Sequence, residues 1–150
     1  MNDGPRPLTL AEVETFARDW YRKLDEHVPV AELLPMLASD VEFQIPEGVL
    51  RGHEGFVELY QGARGWIRSF FDEVHTLSQI AVSHSDEHAL VDVVVNWQAR
   101  RWQPPVPRSQ WFGFDAYQQW AMTRLPETDL PVINRYVVNE LRPLPGSPPL

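Results

Sequence analysis

The chain contains no cysteine. That single absence excludes disulfide scaffolds, thiolate metal sites, iron–sulfur clusters and cysteine nucleophiles. No apolar run approaches the roughly 18 residues of a membrane-spanning helix. The opening MNDGPRPLTLAEVETF has no apolar h-region, so neither secretion nor membrane insertion is signalled, and a cytoplasmic protein is expected. Basic residues are few: 13 Lys and Arg stand against 21 Asp and Glu, a formal charge of −8, and they gather on no one stretch. A nucleic-acid partner is therefore not expected. There is no Gly-x-Gly-x-x-Gly, no Gly-x-x-x-x-Gly-Lys and no Gly-x-Ser-x-Gly, so neither a nucleotide cofactor nor a hydrolase elbow is indicated. His84 and His88 straddle a Ser-Asp-Glu turn rather than sharing one helix or strand with an acid, so no metal site is expected.

What is present suits a buried core. The chain has 150 residues, 43% apolar and 11% aromatic. A chain of that length hides about 68–70% of its unfolded surface on folding. The expected organisation is a single domain over 1–150, with short tails at about 1–7 and 143–150, where RPLPGSPPL prevents regular structure. Thr9-Leu10-Ala11-Glu12 is a capping box, and Val13, Phe16, Ala17, Trp20, Tyr21 and Leu24 then form one helical stripe, which predicts a helix over about 9–27. Pro29 suits the first turn of a second helix over 30–38, carrying Leu33, Leu34 and Leu37. Val41 to Ile45 alternates as a short strand up to Pro46. Phe56, Tyr60, Ala63, Ile67 and Phe70 keep helical spacing and predict a third helix over 53–71, with a bend at Gly62 and Gly65. Val74 to Val82, His88 to Trp102, Phe114 to Arg124 and Val132 to Leu141 read as strands of an antiparallel meander, with the prolines 104–107 stiffening one hairpin loop. Helices first and strands last argue for α+β.

The run LLPMLASDVEFQIPEGVLRGHEGFVELY resembles the NTF2-like superfamily, in particular its SnoaL-like and ketosteroid-isomerase-like members, through Asp40, Val41, Phe43, Pro46, Gly48 and Gly52. The later phrases HALVDVVVNWQAR, QQWAMTR and PVINRYVVNEL resemble that family's closing strands. The resemblance implies a cone-shaped α+β fold, three N-terminal helices on the concave face of a strongly bent antiparallel sheet, with a pocket between them. It also implies a homodimer through the outer sheet face. The apolar strand Leu90 to Trp97 fits a sheet covered on both sides.

The functional residues follow partly from the resemblance. The isomerase-like base would be a carboxylate just before Pro46, where this chain has Ile45; an aliphatic side chain abstracts no proton, and the resemblance implies that Ile45 instead lines the mouth or wall of the pocket. The isomerase-like oxyanion donor falls at or beside Tyr21, whose alternative role is a core ring with a bonded hydroxyl. An Arg-x-Asp pair of the epoxide-hydrolase relatives is absent from the strand Leu90 to Trp102. Two proton carriers are candidates: His75, where SnoaL-like sequences often have histidine, and Asp92, the one acid in its apolar strand. The phase of Val91, Val93, Val95 and Trp97 puts Asp92 on the outer face, and the alternation leaves the face of His75 open. Asn134 and Tyr136 are placed inward with Val132 and Val138, and Trp20, Tyr60, Trp66, Trp120 and Met122 are further candidate lining. The expected ligand is a small hydrophobic or cyclic molecule. Two functions stand: a cofactor-free isomerase, cyclase or lyase with His75 or Asp92 as proton carrier and Tyr21 or Asn134 steadying an oxyanion, or a non-catalytic binding or dimerisation module.

Overall fold

The computed structural model describes residues 6–85 and 87–150. The capping box forms as expected: the Glu12 amide donates to Thr9 Oγ1 at 3.1 Å and the Thr9 amide donates to Glu12 Oε1 at 3.1 Å. Helix α1 spans Leu10–Asp25 and buries the whole expected stripe. Its start is tied to the sheet by Arg124, whose guanidinium, 3% exposed, donates to Glu12 Oε1 at 2.6 Å. The second expected helix is replaced by two single 3₁₀ turns, Val30–Glu32 and Leu34–Met36. Pro35 inside the second turn has no amide to continue a helix.

The first strand is therefore longer than read. β1 covers Leu37–Ile45, turns through Pro46 and Glu47, and pairs antiparallel with the unanticipated β2, Gly48–Arg51. Gly52, at φ 72°, supplies the left-handed residue from which α2, Gly52–Gln61, departs. The third helix is broken rather than bent. A Cβ on Gly62 would sit 2.5 Å from the Glu58 carbonyl oxygen, and the short α3, Trp66–Ser69, begins only after Gly65.

Four long strands follow: β3 Phe71–His84, β4 Ala89–Arg101, β5 Gln110–Arg124 and β6 Pro131–Pro143. The sheet order is β2-β1-β6-β5-β4-β3. All pairs are antiparallel except β1 with β6, so the α+β sheet is mixed and not purely antiparallel. Four strands separate β1 from β6 in sequence, and because β2 and β3 run in the same direction, β1 and β6 end up parallel. Along β4, Ala89, Val91, Val93, Val95, Trp97 and Ala99 are buried while Leu90 is 45% exposed, so within one chain only the helix-bearing face is covered.

Two bulges shift the phase of β6. Ala121 opposes Arg135 and Met122 opposes Ile133, leaving Asn134 with no partner across the ladder. Tyr117 opposes Glu140 and Gln118 opposes Val138, leaving Asn139 out in the same way. Beyond β6, the stretch expected as a tail returns along the sheet. The Leu144 amide donates to the Gly113 carbonyl at 2.9 Å, the Gly113 amide to Ser147 Oγ at 3.0 Å, and Arg101 to the Pro149 carbonyl at 3.1 Å. A side chain at position 113 would obstruct this, since a Cβ there would lie 2.8 Å from Leu144 Cδ1. Among the described residues no helix is long and apolar enough to cross a membrane.

Candidate active site

A cavity of about 420 Å³ opens between α1, β1, the α2–α3 segment and the inner face of β4, β5 and β6. That is the size range of small-molecule sites, about 300–1,000 Å³. Its wall is aromatic and aliphatic: Trp20 and Leu24 from α1, Phe43 and Ile45 from β1, Phe56 and Tyr60 from α2, Trp66 and Phe70, Val95 and Trp97, Tyr136 and Val138. Glu47, Glu58 and Arg64 line it as exposed residues. In its buried part the polar side chains are those of His75 and Gln118, beside the polar tips of the aromatic residues.

His75 is held from two sides. Asp25, in the last turn of α1, accepts the His75 backbone amide at 2.8 Å through Oδ2 and ring Nδ1 at 2.5 Å through Oδ1. A carboxylate at a helix C-terminus opposes the macrodipole, so local helix stability does not account for it, whereas the bond to His75 does. The Tyr21 ring, one turn before Asp25, stacks on the imidazole at 4.9 Å and 16°. Trp97 and Trp66 lie near-parallel to the same ring at 5.9 and 6.1 Å. The imidazole is 5% exposed. A carboxylate acceptor requires the proton on Nδ1, so in the neutral ring the lone pair is on Nε2 of a cavity-lining residue.

A second polar group is assembled around Tyr136. Tyr21 donates its hydroxyl to Gln118 Oε1 at 2.7 Å, and Trp120 Nε1 donates to the same oxygen at 3.2 Å. Burial pushes the Tyr136 hydroxyl up to about 12. Burial likewise pushes Tyr21 well above its ordinary value. Trp20 is 1% exposed, and its Nε1 is a buried donor with no hydrogen-bond partner among the described residues. Buried donors are normally paired, and the cavity that Trp20 lines is where a ligand acceptor can meet this one.

The third feature is Glu73, two residues before His75 on β3. Its carboxylate, 0% exposed, accepts Trp66 Nε1 at 2.9 Å and Trp97 Nε1 at 3.0 Å, and is bonded by His27 Nε2. His27 reaches it from a left-handed residue at φ 52° just past α1. Burial raises the Glu73 carboxyl above the usual carboxylate range, against the bonds from His27 and Trp97.

The structure thus sorts the sequence candidates. His75, Trp20, Ile45, Tyr60, Tyr136 and Trp66 all line the cavity. Tyr60 offers only its ring, because its hydroxyl donates to the Val28 carbonyl at 2.6 Å. Tyr21 and Trp120 stand behind the wall, where they brace His75, Gln118 and Tyr136. Met122 is buried outside the lining. Asp92 is exposed on the outer face, where Gln119 Nε2 donates to it at 3.0 Å, so it is no proton carrier for this cavity. Asn134 is also displaced: it is the bulge residue, bonded to Thr123 at 2.8 Å, and the inward positions of β6 are Ile133, Tyr136, Val138 and Leu141. Sequence reasoning missed Asp25, Gln118 and Glu73. Only Gln118 had a readable signal, as the polar residue in phase with Trp120 and Met122. Among the described residues no cluster of three or more His, Asp or Glu is arranged to hold a metal.

No family model and no curated protein sequence matches the chain. Solved structures do. A hexachlorocyclohexane dehydrochlorinase (LinA) of type 2 superposes with a TM-score of 0.71 at 17% identity, over 93% of both chains. A putative scytalone dehydratase from Novosphingobium aromaticivorans superposes with a TM-score of 0.65 at 18% identity, over 90% of this chain and 83% of that one. A nuclear transport factor 2 (NTF2-like) superfamily protein from Salmonella enterica gives 0.64 at 18% identity, over 85% and 87%. The chain has the NTF2-like, cystatin-like fold that its sequence resembled.

Proposed function

We propose that the chain is a cofactor-free enzyme of the lyase type, which removes a proton from a carbon of a small, apolar, ring-containing molecule. His75 is the general base. The observation that carries this reading is the His75–Asp25 pair placed on the wall of an otherwise apolar cavity. Nε2 takes the proton, the C–H electron pair becomes a carbon–carbon double bond, and a leaving group departs with its own pair from the adjacent carbon. Asp25 keeps the imidazole in the reactive tautomer and stabilises the imidazolium that forms. Tyr136 and the unpaired Trp20 Nε1 are neutral donors that steady negative charge developing on the substrate, and the apolar wall strengthens both effects by excluding water. The reading is supported by the dehydrochlorinase and dehydratase among the structural neighbours, whose names describe the loss of HCl and of water. Ile45, on the cavity wall where a base would stand in an isomerase-like site, leaves the proton transfer to His75.

The test is solvent-deuterium incorporation next to the carbonyl of 1-tetralone, followed by NMR. The wild-type chain should accelerate exchange, and His75→Gln should lower the rate by about 10²–10⁴-fold, the usual contribution of a positioned base. Exchange no faster than with free imidazole, or an unchanged rate in His75→Gln, would overturn the reading in favour of a binding module.

A further inference from the structure

The mechanism above uses Asp25 but leaves a second buried carboxylate beside the base unexplained. Glu73 does not line the cavity. Three donors nevertheless converge on it, from three separate parts of the chain: His27 after α1, Trp66 at the start of α3 and Trp97 on β4. Two of these donors are the indoles that flank His75, and they stack on each other at 4.8 Å and 23°. Both indole rings also line the cavity. The carboxylate therefore sits at the back of the aromatic wall and holds both rings by their N–H groups. The wall in turn defines the plane of the imidazole, on which the Tyr21 ring also stacks.

An apolar contact would pack Trp66 and Trp97 at lower cost than a buried acid, since burying a carboxylate is unfavourable even when it is bonded. The position of the charge explains its presence. Glu73 and His75 point to the same side of β3, one strand repeat apart, about 6.5–7 Å between their Cα atoms. An anion there favours the imidazolium that His75 becomes after taking a proton.

We propose that Glu73 is a positioning residue for the base: it anchors the two indoles against which His75 stacks, and it places a second negative charge beside the ring. This inference rests on the reading of His75 as the base, but it predicts a property of His75 that exists without any substrate. The charged and titratable groups around His75 are Asp25, bonded to its ring, Tyr21, whose ring stacks on it, and Glu73 on β3 with the His27 that Glu73 binds. Trp66 and Trp97 lie against it as neutral rings.

The decisive measurement is the NMR titration of the His75 ring in the full chain, with His75→Gln identifying its resonance. In Glu73→Gln, which keeps shape and one acceptor, the midpoint should fall by at least about half a pH unit. Two tryptophan indole N–H resonances should move in the same variant. Glu73→Asp, which keeps the charge and shortens the reach, should hold the midpoint near the wild-type value while still moving the indole signals, and it serves if the glutamine variant does not fold. Exchange on 1-tetralone should drop several-fold in Glu73→Gln with KM changed less than twofold. An unmoved midpoint in Glu73→Gln, or an equal fall in Glu73→Asp, overturns the proposal. If the wild-type chain catalyses no exchange but the midpoint falls as stated, Glu73 still tunes His75 and only the lyase reading fails.

Discussion

Asp25 holds His75 by both its main chain and its side chain, with one carboxylate oxygen on the amide at 2.8 Å and the other on Nδ1 at 2.5 Å. The two bonds do different work. The amide bond docks the end of α1 on β3, and the ring bond sets the tautomer of the imidazole.

Asp25→Asn separates the two roles. The asparagine oxygen can still receive the amide, so the melting temperature should fall only modestly, by the equivalent of about 1 kcal/mol. The ring bond loses its charge, and exchange on 1-tetralone should fall by about 10²-fold or more. Asp25→Ala should lose both, with a stability loss of about 1–3 kcal/mol in denaturant melts. Full activity in the asparagine variant would remove Asp25 from the chemistry.

Acid stability should depend on Glu12. Its bond to Arg124, with help from the Thr9 amide, lowers its carboxyl to about 2 from an ordinary value of 4.5. The folded value lies below the unfolded one, so this stabilisation is complete above about pH 4.5 and is lost as the pH falls towards 2. In Arg124→Gln the melting temperature should be lower near neutrality and should change less between pH 5 and pH 2 than in the wild type. Parallel curves for the two proteins would contradict this.

Ile45→Asp would put a carboxylate on the cavity wall beside Phe43 and Leu50. Desolvation there raises its folded value above the roughly 3.9 of a free aspartate. The sign is then opposite to that of Glu12: the destabilisation is absent below the unfolded value and grows as the pH rises through the folded one. The variant should melt lower at pH 8 than at pH 4.5 relative to the wild type, by the equivalent of about 1–3 kcal/mol. A constant difference across that range would place the new side chain in water.

A homodimer through the outer sheet face is expected to leave Leu90, 45% exposed in one chain, covered by its partner. Sedimentation at micromolar concentration should then give twice the 17.3 kDa of the chain, and Val94→Lys on the same face should return it to the single mass. A 17.3 kDa particle in the wild type would show that this face stays in water.

Local signals carried most of the fold. The capping box and stripe of α1 depend only on neighbours three and four residues apart, and every buried residue of that helix was readable. The second helix failed because its reading rested on the spacing of Leu33, Leu34 and Leu37, which takes no account of Pro35 between them. On β6, alternation was applied across Asn134, and a bulge cannot be seen in a two-residue period. The site was legible where one element decided it, as with Trp20 and Tyr136. Its pairing was not: Asp25 and His75 are 50 residues apart, and Glu73 meets His27 across 46. Nothing in either local sequence marks such a partner.

The return of the last residues along the sheet has a practical consequence. Leu150 is among the residues that line the cavity. A group added after it would therefore start from the cavity wall. An affinity handle or fluorescent fusion placed there would crowd the cavity, whereas one placed ahead of Arg6 is carried by a residue that pairs with Asp129, and neither of those two lines the cavity.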